Sequence, residues 1–249
     1  MPDFTCVINA HNEGYIAKEA LESVFRNKFE VEKLGLSVEI LVVLDRGSVD
    51  TVNLIDSYGT LVKAHKVSFG DLGLARNYGI SKSRGTFIAL LDADDIWCDD
   101  WLLRTYNCIG ALGAEELRIF HPEINLYFKS KDRPDGGQFK AVKQVGQDSL
   151  GIEFYELAHK NIWSSAVIAP REVFLSCPYV SVNESEGVGF EDWDFNLATI
   201  AKGYKHEVVP STYHFVEEKD VSMRLEFAAK RLSPRYHDWW ITTDLPGWN

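Results

Sequence analysis

Asp92-Ala93-Asp94-Asp95 places three carboxylates within four positions, directly behind the apolar run 87–91. In an extended segment alternate side chains point to one side, so Asp92 and Asp94 can converge on a single centre. Two anionic oxygens with water suit Mg2+ or Mn2+, above all when a substrate's phosphates complete the shell. The plainer account is an exposed acidic turn that starts the next helix at Asp99 and Asp100. A position behind a wholly buried strand favours the metal. A second acidic group, Glu191-Asp192-Trp193-Asp194, follows the glycine-bearing loop 186–189. Acidic residues are favoured at a helix start by the free N–H groups and the dipole. One aspartate suffices for a cap. A further carboxylate held there could take a proton from a hydroxyl as that hydroxyl attacks an electrophile.

The elements that would carry these groups alternate. Residues 4–8 read as a buried strand, followed by the polar loop Asn9-Ala10-His11-Asn12-Glu13-Gly14 and a helical apolar spacing through Ile16, Ala20, Leu21 and Val24. A second buried strand, 39–44, closes on Asp45-Arg46-Gly47-Ser48 before a helix at 49–58. Strand 62–67 is more alternating, and Asp71 can cap a helix that Arg84-Gly85 ends. Apolar strands alternating with helices predict a parallel sheet covered on both faces, with ligands at the carboxyl ends of the strands. The first loop, the turn at Asp45 and the aspartates at 92–95 all occupy such ends. Beyond residue 115 the reading gives strands at 119–128 and 164–169, a polar excursion at 129–146, and a helix at 191–202 stopped by Gly203. Residues 1–249 are taken as one domain, with a regular half to about 115, a less regular half to about 225 that completes the site, and an aromatic tail at 226–249.

Composition narrows the classes. A net charge of −11 and no long basic run argue against nucleic acid. No apolar run approaches a membrane span, and the first strand begins close to Met1, leaving no room for a signal peptide. Four scattered cysteines without a C-x-x-C pair fit reduced thiols in the cytoplasm rather than a zinc site or disulfide framework.

Five stretches in order, Asn9 to Glu13, Asp45 to Asp50, Ala75-Arg76-Asn77-Tyr78-Gly79, Leu91 to Asp95 and Glu191 to Asp194, resemble the family-two inverting glycosyltransferases. The likeness runs over roughly residues 4–222. It implies the α/β GT-A fold, a Rossmann-like three-layer sandwich around a mixed, mostly parallel sheet. It also implies a nucleotide-sugar donor, usually a UDP-sugar, and Mn2+ or Mg2+. The resemblance assigns Ala10, His11, Asn12, Glu13, Asp45 and Arg76 to the base and ribose. Asp92 and Ala93 fall by the ribose, Asp94 on the metal, Asp192 as general base and Glu191 beside it. His214, within Tyr213-His214-Phe215, stands where the family often has a Tyr-Arg pair. It is expected as a third metal ligand, a phosphate contact, or a histidine satisfied at a strand end. Lys219 and Arg224 are nearby cations for the diphosphate. Trp163 is expected to offer an aromatic face to the acceptor.

Arg46 replaces the second aspartate of the family's usual Asp-Asp-Gly-Ser turn. No Gln-x-x-Arg-Trp stretch follows the Glu-Asp pair, which favours transfer of one sugar over processive synthesis. The acceptor is expected to be a saccharide or other hydroxyl, lipid-linked if the tail residues Tyr236, Trp239, Trp240 and Trp248 meet a membrane surface. Their other readings are homodimerisation and packing on the domain. The expected location is cytoplasmic, including the inner face of the plasma membrane. A non-catalytic nucleotide-sugar binder on the same fold is the main alternative. An aspartate-nucleophile phosphatase would carry its motif earlier, and a nucleotidyltransferase would want a basic first loop.

Overall fold

The computed structural model describes residues 2–112, 117–129, 140–149, 157, 159–218 and 223–235. β1 (Phe4–Ala10) and β2 (Val38–Asp45) are buried along their whole lengths. Such strands hold no alternation because helices cover both faces of the sheet. Between and after them come α1 (Ile16–Glu32), α2 (Val49–Ser57), β3 (Lys63–Val67), α3 (Leu72–Lys82) and β4 (Phe87–Asp92). β1 pairs in parallel with β2 and β4, and β2 with β3. Ser48 caps α2 by accepting from the Thr51 N–H, and Asp71 caps α3 by accepting from the Leu74 N–H. The carboxyl ends of β1, β2 and β4 therefore share one edge.

The second half comprises β5 (Ile96–Trp97), α4 (Trp101–Leu112), β6 (Arg118–Phe128), β7 (Lys140–Lys143), β8 (Val167–Pro170), α5 (Arg171–Ser176), α6 (Glu191–Ala201), β9 (Lys205–Glu217) and α7 (Met223–Ala229). The nine described strands form one sheet in the order β3-β2-β1-β4-β8-β6-β9-β5, with β7 on β6. β8 is antiparallel to β4 and β6, whereas β6 and β9 run parallel. The sheet is thus wholly parallel on the β1–β4 side and mixed beyond it.

Helices cover both faces. Leu21, Val24, Ile55, Trp101 and Leu102 pack from α1, α2 and α4 on one face. Ala75, Ile80, Val173, Phe174 and Phe195 pack from α3, α5 and α6 on the other. Each of the Leu, Ile, Val and Phe side chains among them contributes about 1.5–3 kcal/mol on burial. β9 is the element that the sequence pattern conceals. Its polar stretch Pro210-Ser211-Thr212 spans a register shift opposite Pro122 and Ile124, and Ser211 takes a positive φ of 60°. Part of the polar excursion forms β7, and the strand expected from Ser164 starts at Val167. The cysteines are unpaired. Among the described residues no helix is long and apolar enough to cross a membrane. The aromatic tail from Tyr236 and Lys219 lie outside the described residues, as does the side chain of Arg224.

Candidate active site

Arg76 is the centre of the site. It is 2% exposed, yet it carries a guanidinium. Glycines on α3 make that placement feasible. At Gly73 a Cβ would collide with the Val180 carbonyl, and at Gly79 it would stand 2.5 Å from Val7 Cγ1. Side-chain-free positions let α3 press against β1 on one side and the chain near Val180 on the other. Asn77 pins that chain by donating to the Tyr179 carbonyl at 2.8 Å and accepting from the Tyr179 N–H at 2.9 Å. The Tyr179 ring then lies under the Arg76 guanidinium, 5.2 Å from its centre.

Arg76 Nη2 donates to both oxygens of Asp92, at 2.9 and 2.8 Å, and Nη1 donates to Glu191 Oε1 at 2.8 Å. One cation thus joins the end of β4 to the first turn of α6. Without such partners a buried guanidinium would be prohibitive. Burial pushes the Glu191 carboxyl up to about 7, against the pull of Arg76. The Asp192 carboxyl is raised by burial too, again opposed by Arg76. Asp192 Oδ2 accepts from Asn161 Nδ2 at 2.9 Å, and Asn161 Oδ1 accepts from Asn196 at 2.9 Å. These bonds fix the direction of Asp192.

The three aspartates divide differently from an extended strand. β4 ends at Asp92, and the Asp95 N–H donates to the Asp92 carbonyl at 3.0 Å, so residues 92–95 make a tight turn. Alternation therefore does not set the direction of Asp94. Ala93 is buried, and its N–H donates to the Asn9 carbonyl at 2.9 Å, which ties the turn to β1. Asp95 is buried with its Oδ2 3.0 Å from His214 Nε2 and its Oδ1 accepting from the Glu217 N–H at 3.2 Å. The His214 contact has the distance of an ion pair but not the alignment of a hydrogen bond. Burial lifts the Asp95 carboxyl to about 6, and His214 opposes the rise. His214, for which a metal ligand, a phosphate contact and a histidine satisfied at a strand end were all open, is 1% exposed and paired with Asp95, which fits the last of these. Antiparallel pairing of β5 with β9, Trp97 opposite His214, brings this about.

Asp45 accepts from the N–H groups of Phe69, Gly70 and Asp71 at 2.7, 2.7 and 3.1 Å, so it organises that loop. The exposed ring of His11 joins the first loop to β2: Nδ1–H donates to the Asp45 carbonyl at 2.5 Å, and Nε2 accepts from Asn12 at 2.8 Å. Glu13 accepts from the His11 N–H at 2.6 Å. Trp163 is a correction. It is 3% exposed, stacks on His206 at 4.2 Å and donates Nε1–H to the Val145 carbonyl, so it offers no face to an acceptor.

Among the described residues no group of three or more His, Cys, Asp or Glu side chains is placed to hold a metal by itself. The carboxylates of this turn, half-buried Asp94 among them, are hard oxygen donors of the kind Mg2+ or Mn2+ takes. That donor set fits a cation whose remaining positions are filled by phosphate and water. Sequence reasoning missed Asn161, Tyr179 and Asn77's role; each acts through a partner distant in the chain.

The family model for Glycosyl transferase family 2 matches residues 5–141. The succinoglycan biosynthesis protein ExoO of Rhizobium meliloti is 34% identical over 119 residues, covering 46% of this chain and 32% of that protein. TarS 1–349 of S. aureus, solved in complex with UDP-GlcNAc, superposes with a TM-score of 0.64 at 15% identity, covering 89% of this chain and 60% of that one. The mannosyltransferase PcManGT of Pyrobaculum calidifontis, solved with GDP-Man and Mn2+, gives 0.56 at 15% identity over 86% of this chain and 56% of that one. The structural likeness is one of fold. The chain spans 63%, 19% and 30% of the lengths of the first three curated relatives it matches.

Proposed function

The chain belongs to glycosyl transferase family 2, and from that premise and the site's geometry we propose an inverting transfer of one sugar from a nucleotide-sugar to an acceptor hydroxyl. The observation that carries the reading is the Arg76 bridge, which joins Asp92 at the donor edge to Glu191, next to Asp192. A UDP-sugar is the donor we assign; the GT-A likeness to a protein solved with UDP-GlcNAc supports it. The name of the ExoO relative supports an acceptor in polysaccharide or glycoconjugate synthesis.

In this reading the first loop and the loop organised by Asp45 hold the nucleoside, and Asp92, oriented by Arg76, faces the ribose. Asp94 would hold Mn2+ or Mg2+, which when bound supplies Lewis-acid neutralisation of the diphosphate leaving group. Asp192 takes the acceptor hydroxyl's proton while the new C–O bond forms and the bond to the diphosphate breaks, through an oxocarbenium-like state. Its raised carboxyl pKa makes it a stronger base than a solvated aspartate, and Asn161 keeps one oxygen aimed.

Calorimetric titration of UDP with and without Mn2+, followed by UDP release from UDP-sugars, tests this. Wild type should bind UDP more tightly with Mn2+, and Asp94→Ala should remove that dependence. Asp192→Asn should bind UDP normally and lose transfer by at least about 100-fold. Transfer that survives in Asp192→Asn would move the base elsewhere; a chain that binds nucleotide but turns over no donor would be a binding protein.

A further inference from the structure

The chain beyond β9 returns to the first turn of α6. Arg235 donates from Nε and Nη2 to the two oxygens of Asp194, at 3.0 and 2.8 Å, and its backbone N–H donates to Oδ1 at 3.0 Å. The Asp194 side chain is 0% exposed. Ser233 is laced into the preceding loop: its carbonyl accepts from Gly189 and its N–H donates to Gly187, both at 2.9 Å. A Cβ on Gly189 would stand 3.0 Å from Leu232 Cβ, so a glycine permits this approach. Phe227 of α7 meets Phe190 edge-on at 5.4 Å.

Phe190 directly precedes Glu191 and has a φ of 55°, in the left-handed region that bulky side chains avoid. Strain of this kind persists only where the surroundings over-determine it. Here the surroundings include the segment 227–235, together with the Trp193 ring edge-on at 5.9 Å. Successive residues of a helix turn by about 100°, so Asp192 and Asp194 project from nearly opposite sides. Asp194 is gripped on the buried side, and Asp192 faces Asn161. A buried ion pair is a weak stabiliser because desolvation offsets its attraction. What a two-pronged guanidinium–carboxylate pair supplies well is direction.

We propose that Arg235 is a positioning residue: by gripping Asp194 it fixes the first turn of α6 and so the aim of the Asp192 carboxylate. The inference rests on the reading of Asp192 as the base. Three measurements on full-length Arg235→Ala and Arg235→Lys test it. They are hydrogen exchange of peptide 187–197, the affinity for UDP with Mn2+, and kcat and KM for UDP release from UDP-GlcNAc. Arg235→Ala should speed exchange across the first turn of α6 by about tenfold or more, leave UDP affinity unchanged, and lower kcat at constant KM. Arg235→Lys keeps the charge without the planar fork and should fall between. Exchange equal to wild type, or a loss of UDP affinity in step with kcat, overturns the proposal. A wild type that binds no UDP overturns the donor assignment instead, and the exchange result still decides the grip.

Discussion

His121 and His206 give a pH prediction whose size follows from their placement. The rings lie on β6 and β9, stacked at 5.1 Å and 8°, with Trp163 against both. His121 Nε2 and His206 Nδ1 share one hydrogen bond of 2.8 Å, and His206 Nε2 meets Thr199 Oγ1 at 2.8 Å. Burial holds His121 down to about 3 and His206 well below the ordinary value. Each native ring therefore stays neutral while the unfolded ring, at about 6.5, takes up a proton. Stability from such a depressed base is present above pH 6.5 and is lost as pH falls toward the folded value. Between pH 7 and pH 5 the loss for His121 is about 2 kcal/mol. Buried carboxyls act oppositely: Asp95, lifted to about 6, and Glu191, lifted to about 7, bind protons more tightly when folded and blunt the total curve. Comparison with His121→Phe removes that complication, because both proteins carry the same carboxyls. At pH 7 the variant should be less stable by about 1–3 kcal/mol, having left His206 Nδ1 without its partner. At pH 5 that deficit should shrink by about 2 kcal/mol. Urea unfolding followed by tryptophan fluorescence at both pH values measures it. A deficit identical at pH 7 and pH 5 would refute the reasoning, since it would mean that the native ring protonates as readily as the unfolded one.

Arg76→Met should destabilise the fold by about 3–5 kcal/mol in urea, because Asp92 and Glu191 lose their shared cation inside the protein. Arg76→Met combined with Glu191→Gln should lose less than the sum of the two single changes. Gly79→Ala puts a methyl 2.5 Å from Val7 Cγ1; overpacking of about 1–3 kcal/mol outweighs the better helix propensity, and calorimetry should show a lower Tm. The acid limb of turnover should lie above the ordinary aspartate range, since burial raises Asp192 and only its ionised form accepts a proton. A limb at the value of a solvated aspartate would contradict that environment.

The edge that gathers Asp45, Asp92 and the first loop was legible because fully buried parallel strands read as continuous apolar runs. The cap at Asp71 and the stop at Gly203 are local, and they too were legible. Which way each polar side chain faces was a different matter. Alternation put Asp92 and Asp94 on one side, but alternation ends with the strand, and β4 stops at Asp92 where the turn begins. Trp163 looked like a sugar platform because an aromatic beside a strand does not reveal its partners. These are His121 and His206, and only the β6–β9 pairing brings them under it. His214 depended in the same way on the pairing of β5 with β9, where a slip of one residue would turn the ring to the other face. Arg235 carries no local pattern at all; its meaning comes from a carboxylate buried on the far side of α6. Residue types suggested a chemistry, whereas the direction of each side chain rests on strand register and long-range ion pairs. That is why variants of residues behind the carboxylates, at Arg76 and Arg235, discriminate between readings of this site better than further changes to the aspartates.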